Sequence, residues 1–511
     1  MRRLIKPDRE TFNRLGKDYD IIPVFKTVPA DLETPISLYV KLASYCRESF
    51  LLESGELGEK SRYSFIGSEP FLTLYTLGSD TVVQEENGER WRSGDDPLNV
   101  LENIFKSLHV YQPEELSVFW GGAVGYLSYD MVKRWEKVPG IEEESRWPSC
   151  YFYFPRKVFI YDHKKHLLTA VYVASINNNR DNLENIYEKA SKELENILNN
   201  VNQGQGYQCC MEGDALEKVA SCSDLSTDLG VRRSFTKASF IAAVNRAKEY
   251  IRAGEIFQVV LSRQAQQETA ALPFNIYRAL RSLNPSPYQF YLFFPHFQMI
   301  GSSPEMLVRL EKGLAYTKPI AGTRPRGQDE KRDFSLAAEL SKDEKERAEH
   351  MMLVDLGRND LGRVCCYGSV AVIKLLEIEY FSHVMHLVSE VRGKIRPEYN
   401  FTHLLRAVFP AGTVSGAPKV RAMEIIAELE PLPRGPYAGA VGYVGFNGDM
   451  DTCITIRTLL FDHGQAFIQA GAGIVADSDP CREYEETEHK MASSLRAISL
   501  AEEWENDFNY R

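Results

Sequence analysis

The chain has 511 residues, 44% of them hydrophobic and 26% charged, with a formal net charge of −11, which suits an ordinary globular protein with room for two domains or one elaborated one. No apolar run approaches the ~18 residues a membrane helix needs, and the acidic balance without any Lys/Arg-rich tract speaks against a nucleic-acid partner. Met1 to Gly16 lacks the apolar core of a secretory signal, and nine cysteines, odd in number and without a CxxC pair, point to a reducing cytoplasm rather than to a disulfide framework or a zinc site.

In chain order, Ser64–Thr76, Ser117–Tyr129 and Tyr151–Tyr161 are rich in aromatic and β-branched residues and punctuated by Gly and Pro, which predicts a sheet-rich N-terminal part. Helical spacing follows over Asp181–Leu198, and then a polar stretch, 199–233, reads as a linker between a domain at 1–198 and another at 234–511. Beyond it come a helix at Lys237–Arg252, a strand at Phe257–Arg263, a helix at Pro273–Leu283, and strands at Tyr288–Phe294 and Gln298–Ser302. Helix formers dominate Lys342–Leu356 and Glu483–Glu503. Between these two helices, Ala371–Leu376, His386–Lys394, Gly439–Phe446, Thr452–Phe461 and Gln465–Ala472 read as strands. Without a strict βαβ rhythm, the expected class is mixed α/β (α+β) with largely antiparallel sheets and helices outside.

Several of these elements could carry chemistry. Glu483, Glu486 and Lys490 share one face of the last helix, and Glu346 and Glu349 stand one turn apart on the earlier one. If the two helices meet, their carboxylates could hold Mg²⁺; alone, each pair reads equally as solvated surface charge. Gln469-Ala-Gly-Ala-Gly-Ile-Val475 offers backbone N–H groups to a carboxylate, or is only a turn or bulge. The small-residue loop Phe409–Lys419, followed by the helix-like Val420–Leu429, could bind an anion or simply cap a helix. Pro319-Ile-Ala-Gly-Thr323 lies between Lys318 and the pair Arg324 and Arg326, while His386 and Arg457 sit in strand-like runs where a structural role is the default.

Taken together, Gly254–Arg263, Gly301–Glu305, Pro319–Thr323, Arg347–Leu356, Val384–Ser389, Phe409–Lys419, Arg434–Gly439 and Gln469–Val475 resemble the chorismate-utilising enzymes across the whole C-terminal part. The N-terminal part, through Leu51-Leu-Glu-Ser54 and Arg62–Gly67, resembles the partner domain of the anthranilate synthase component I branch. The resemblance implies chorismate as substrate and Mg²⁺ held by Glu349 and Glu486 with support from Glu346 and Glu483. It implies that Gly322 and Thr323 meet the ring carboxylate, that Tyr437, Arg457, Gly471, Ala472 and Gly473 meet the enolpyruvyl carboxylate, and that Thr413 and Lys490 line the pocket. Glu305 is the expected acid for the departing hydroxyl, and His386 the group that assists pyruvate loss.

Two positions narrow the branch. Gln258 stands where water-adding relatives carry a lysine base, and Ala321 where aminodeoxychorismate synthases often carry a nucleophilic lysine, so direct amination to anthranilate is expected. By the same resemblance, Glu53, Ser54, Pro287, Tyr288 and Gln289 bind L-tryptophan as a feedback inhibitor. No glycine-flanked nucleophilic cysteine is present, so ammonia is expected from a separate glutamine amidotransferase subunit in a heterodimer or heterotetramer.

Overall fold

The computed structural model describes residues 4–46, 48–55, 62–138, 145–176, 180–202, 231–381 and 384–508. Most of the predicted linker, with Cys209, Cys210 and Cys222, lies outside the described residues. Its edges are ordered: the helix Leu183–Asn202 runs past position 198, and Arg232–Arg233 pairs with the strand Gln258–Glu268.

Alternating β-formers and glycine turns build a sheet in which, among the described residues, 22 strands are linked by antiparallel pairing, with helices packed against it. Sequence distance does not decide the neighbours. Ser49–Glu53 pairs with Tyr63–Leu77 on one side and with Tyr288–Phe293 on the other, and Gly122–Leu127 pairs with Ala440–Gly445. Strands from before the predicted linker thereby lie inside the same sheet as strands from after it. One apolar cluster runs from Phe12 and Ile22 to Met491 and Ala501, so the first and last helices share a core. No described helix is long and apolar enough to cross a membrane.

Several elements fall where local signals put them. Lys237–Arg252 starts after a Thr236 cap whose side chain accepts from the Ser239 N–H, and Pro273–Leu283 opens on proline. Others were misjudged. Ser117–Tyr129 is a strand only at Gly122–Leu127, while the helix expected over Lys342–Leu356 is present as Glu344–Gly362 and follows a helix that was not expected, Glu330–Lys342. They are divided at Asp343, which caps the second by accepting from the Lys345 and Glu346 N–H groups. Thr452–Phe461 is likewise two strands, Met450–Ile454 and Thr458–Asp462, separated by a corner where Arg457 takes the left-handed region at φ 51°.

Candidate active site

Four segments meet at the ends of the central strands. Gly471 and Gly473 lie within the continuous strand Gln465–Ile474, opposite Ser262 and Val260 of the Gln258 strand, not in a turn. Their lack of a side chain makes room for neighbours. A Cβ on Gly471 would stand 2.9 Å from the Tyr437 hydroxyl, and one on Gly473 would stand 2.9 Å from the Gln258 amide nitrogen. The Lys490 ammonium donates to the Gly471 carbonyl at 2.9 Å and pairs with Glu486 at 2.6 Å, one turn away on the closing helix Pro480–Phe508.

Across the cleft, the strand Ile320–Pro325 bulges between Ala321 and Thr323, where Gly322 adopts φ 69°. A Cβ there would come within 3.1 Å of a Glu346 carboxylate oxygen, so the backbone of the Gly322 bulge lies against the acidic helix. His386 faces Thr323 in register, and its Nδ1 donates to the Gly322 carbonyl at 3.1 Å with the Thr323 hydroxyl 3.0 Å away. A carbonyl can only accept, so the proton sits on Nδ1 and Nε2 keeps its lone pair. Burial, followed by the nearby Arg457 charge, lowers the His386 pKa against the opposing pull of the Gly322 contact, which favours the neutral ring.

Glu305 lies two residues past the end of the strand Gln298–Ser303, with its carboxyl group enclosed by protein. Desolvation pushes it up to about 7, only partly offset by the Thr413 hydroxyl and the Lys490 charge. Thr413 is close enough to influence that carboxyl, yet its buried hydroxyl has no well-formed hydrogen bond. Both residues line a cavity with Lys318, Leu353, Gly357 and Ile454. Burial also moves Tyr437 up to about 12 and lowers Arg457, leaving the first a hydroxyl donor and the second a cation eager for an anion.

The carboxylates divide into two kinds. Glu346 is met by Arg324 at 3.3 Å and Glu486 by Lys490 at 2.6 Å. Glu349 has no such cation among the described residues: it accepts from the Gln258 amide at 3.5 Å, and burial first, then the charges of Glu346 and Glu486, raises its pKa. Glu483 is raised too, by burial and then by Glu486. No closed cage of three or more His, Cys, Asp or Glu side chains forms among the described residues. Mg²⁺ requires only one or two carboxylates beside water and a substrate oxyanion, so this crowded, under-neutralised set fits it.

The predicted effector residues gather one strand away. Glu53 opposes Gln289 in register, Tyr288 donates to Asp451 at 3.0 Å, and Pro287 and Ser54 lie at adjoining loop ends where the Gly55 N–H meets the Ser286 carbonyl at 2.8 Å. The Glu53 carboxylate already takes the Tyr277 hydroxyl at 2.6 Å and the Arg281 guanidinium at 3.0 and 3.1 Å. Sequence reasoning missed Tyr277 and Arg281, although their spacing of four on one helix was the available signal. It also passed over Arg434, quoted within a motif for its Tyr437.

The chain matches the family described as chorismate binding enzyme over residues 48–496. It is 46% identical to anthranilate synthase component 1 of Acetivibrio thermocellus, over 97% of this chain and 99% of that protein. The corresponding protein of Thermus thermophilus is 43% identical over 94% of this chain and 99% of its own length. Among solved structures, anthranilate synthase component I of Streptococcus pneumoniae superimposes with a TM-score of 0.72 at 35% identity, covering 91% of this chain and 99% of that one. The menaquinone-specific isochorismate synthase of Escherichia coli shares the fold at a TM-score of 0.69 and 19% identity, covering 96% of this chain and 98% of that one.

Proposed function

The chain belongs to the chorismate binding enzyme family, and on that premise we propose that it is the chorismate-converting component of an anthranilate synthase. Ammonia adds at C2 of chorismate as the C4 hydroxyl departs, and loss of pyruvate then leaves anthranilate. The observation that carries this reading is the pairing of Glu305, whose carboxyl is pushed up to about 7 by desolvation, with an uncharged amide at Gln258 beside Glu349. A carboxyl that keeps its proton near neutrality can protonate a leaving hydroxyl. An amide cannot deprotonate water, whereas ammonia needs no base to become a nucleophile.

Arg457, the Tyr437 hydroxyl and the Gly471–Gly473 backbone hold one substrate carboxylate, and the Gly322–Thr323 backbone orients the other. Thr413 steadies Glu305 while its proton passes to the leaving oxygen. His386 Nε2, its lone pair free, assists the departure of pyruvate. Glu349 and Glu486 would hold Mg²⁺, with Glu346 and Glu483 behind them; the ion supplies a dication for the ring carboxylate. A glutamine amidotransferase partner delivers ammonia, and L-tryptophan at Glu53, Ser54, Pro287, Tyr288 and Gln289 inhibits.

The test incubates the purified chain with chorismate, Mg²⁺ and ammonium at alkaline pH. Anthranilate and pyruvate in equal amounts are the expected products. An aminated product that retains the pyruvyl group, or no turnover, contradicts the proposal.

A further inference from the structure

Arg434 is only 2% exposed, and its guanidinium is bonded on every side. It donates to the Val414 carbonyl at 2.7 Å, to the Val260 carbonyl at 2.7 Å and to both Glu430 oxygens at 2.6 and 2.9 Å. Both carbonyl partners belong to segments that carry a site residue. Val414 follows Thr413. Val260 lies two residues beyond Gln258 and opposite Gly473 in register. Tyr437 lies three residues beyond Arg434 itself, closes a turn by donating its N–H to the Arg434 carbonyl at 3.3 Å, and has its ring centroid 5.7 Å from the guanidinium.

Glu430 extends the junction. It accepts from the Ser262 N–H at 2.7 Å and hydroxyl at 3.0 Å, and that hydroxyl in turn accepts from Gln469 at 2.8 Å, in the strand that bears Gly471. The N-terminal half closes the other side. The Tyr129 ring lies 4.7 Å from the guanidinium, the Tyr129 N–H donates to the Gly435 carbonyl at 2.8 Å, and Asp130 accepts from the Gly435 N–H at 2.9 Å.

We propose that Arg434 is a positioning residue for substrate: one planar, buried guanidinium fixes the spacing between the Tyr437 hydroxyl, the Gly471–Gly473 backbone and Thr413. It touches no reacting atom. The geometry is demanding because four donors of a rigid fork reach two carbonyls and a carboxylate simultaneously, which a lysine ammonium on a flexible stem cannot do. The proposal rests on the reading of this cleft as a chorismate site.

Two variants separate positioning from folding. Arg434→Lys keeps a cation beside Glu430 and loses the fork. Arg434→Gln with Glu430→Gln removes both charges together, which avoids stranding a lone buried carboxylate. The wild type and both variants are assayed as full chains with chorismate, Mg²⁺ and ammonium, and rates are normalised to the folded fraction from thermal unfolding. A tenfold or greater rise in KM for chorismate in either folded variant is expected, because the displaced groups hold a substrate carboxylate before any bond breaks. A residue that only supports the fold would lower the active fraction and leave KM alone. KM within tenfold of wild type in every variant that folds, or two variants that both fail to fold, overturns the proposal. A wild type that does not convert chorismate at all is the separate failure of the functional reading.

Discussion

A buried carboxylate and a half-buried one, two strands apart in one sheet, have been given opposite surroundings. Glu53, at the end of its strand, is met by one hydroxyl and a two-pronged guanidinium. Glu305, just past the end of Gln298–Ser303, has no ion pair among the described residues and is pushed up to about 7 by burial. In the proposed function the first contacts a ligand and the second acts as an acid. Asp130 is a third case, with the Gly435 N–H as its backbone donor, and burial carries it up to about 6.

The sharpest way to break the contrast is Glu305→Gln, which keeps shape but has no acidic proton to give. Turnover should fall by roughly 10²–10⁴-fold with chorismate binding retained; steady-state rates beside calorimetric affinity would show it, and a variant of near-normal rate would remove the acid from the scheme. At the other carboxylate, Ser54→Phe places a ring beside Glu53 at the crowded Gly55 and Ser286 contact. Inhibition by L-tryptophan should weaken by about 100-fold or more, near 2.7 kcal/mol, with turnover in its absence intact. A wild type insensitive to millimolar inhibitor would contradict the effector assignment.

His386→Ala sharpens the catalytic side, since losing the Nε2 lone pair should slow pyruvate loss by about 10- to 100-fold while amination continues. An aminated intermediate that still carries the pyruvyl group should then appear on rapid quenching; anthranilate formed at the normal rate without it argues against the role. The smallest effect belongs to Asp130→Asn. A carboxyl whose pKa is raised on folding stabilises the protein most below its unfolded value near 4, and that advantage is lost as pH climbs toward about 6. The variant should therefore be more stable than wild type at pH 7, by no more than about 3 kcal/mol, and gain nothing at pH 4. Urea unfolding at both values checks the sign.

Local signals made part of this molecule legible in the sequence. The Thr236 cap and Pro273 set two helix starts, and aromatic and β-branched runs bounded by turns revealed the strands at Tyr151–Tyr161, Tyr288–Phe293 and Gln298–Ser303, though not the strand Leu167–Ser175 between them. What failed were features that tertiary contacts impose. Arg457 bends the chain into a left-handed corner because Ser302 donates its N–H to the Arg457 carbonyl at 3.1 Å, a bond across 155 residues that no local pattern shows. The polar helix Glu330–Lys342 went unread because few of its positions are buried. In the site, the residue types were readable from the resemblance, but not which cation each carboxylate would take. Arg324 goes to Glu346, Lys490 to Glu486, and Arg281 to Glu53, while Glu349 and Glu305 are left without one among the described residues.

The protonation of Glu305 can be observed without turnover. Infrared difference spectra recorded from pH 5 to 9, comparing the wild type with Glu305→Gln, isolate the C=O stretch of a protonated carboxyl in an apolar setting. A band that disappears with a midpoint near 7 in the wild type and is missing from the variant is the predicted result. A Glu305 carboxyl already ionised at pH 5 would contradict the account.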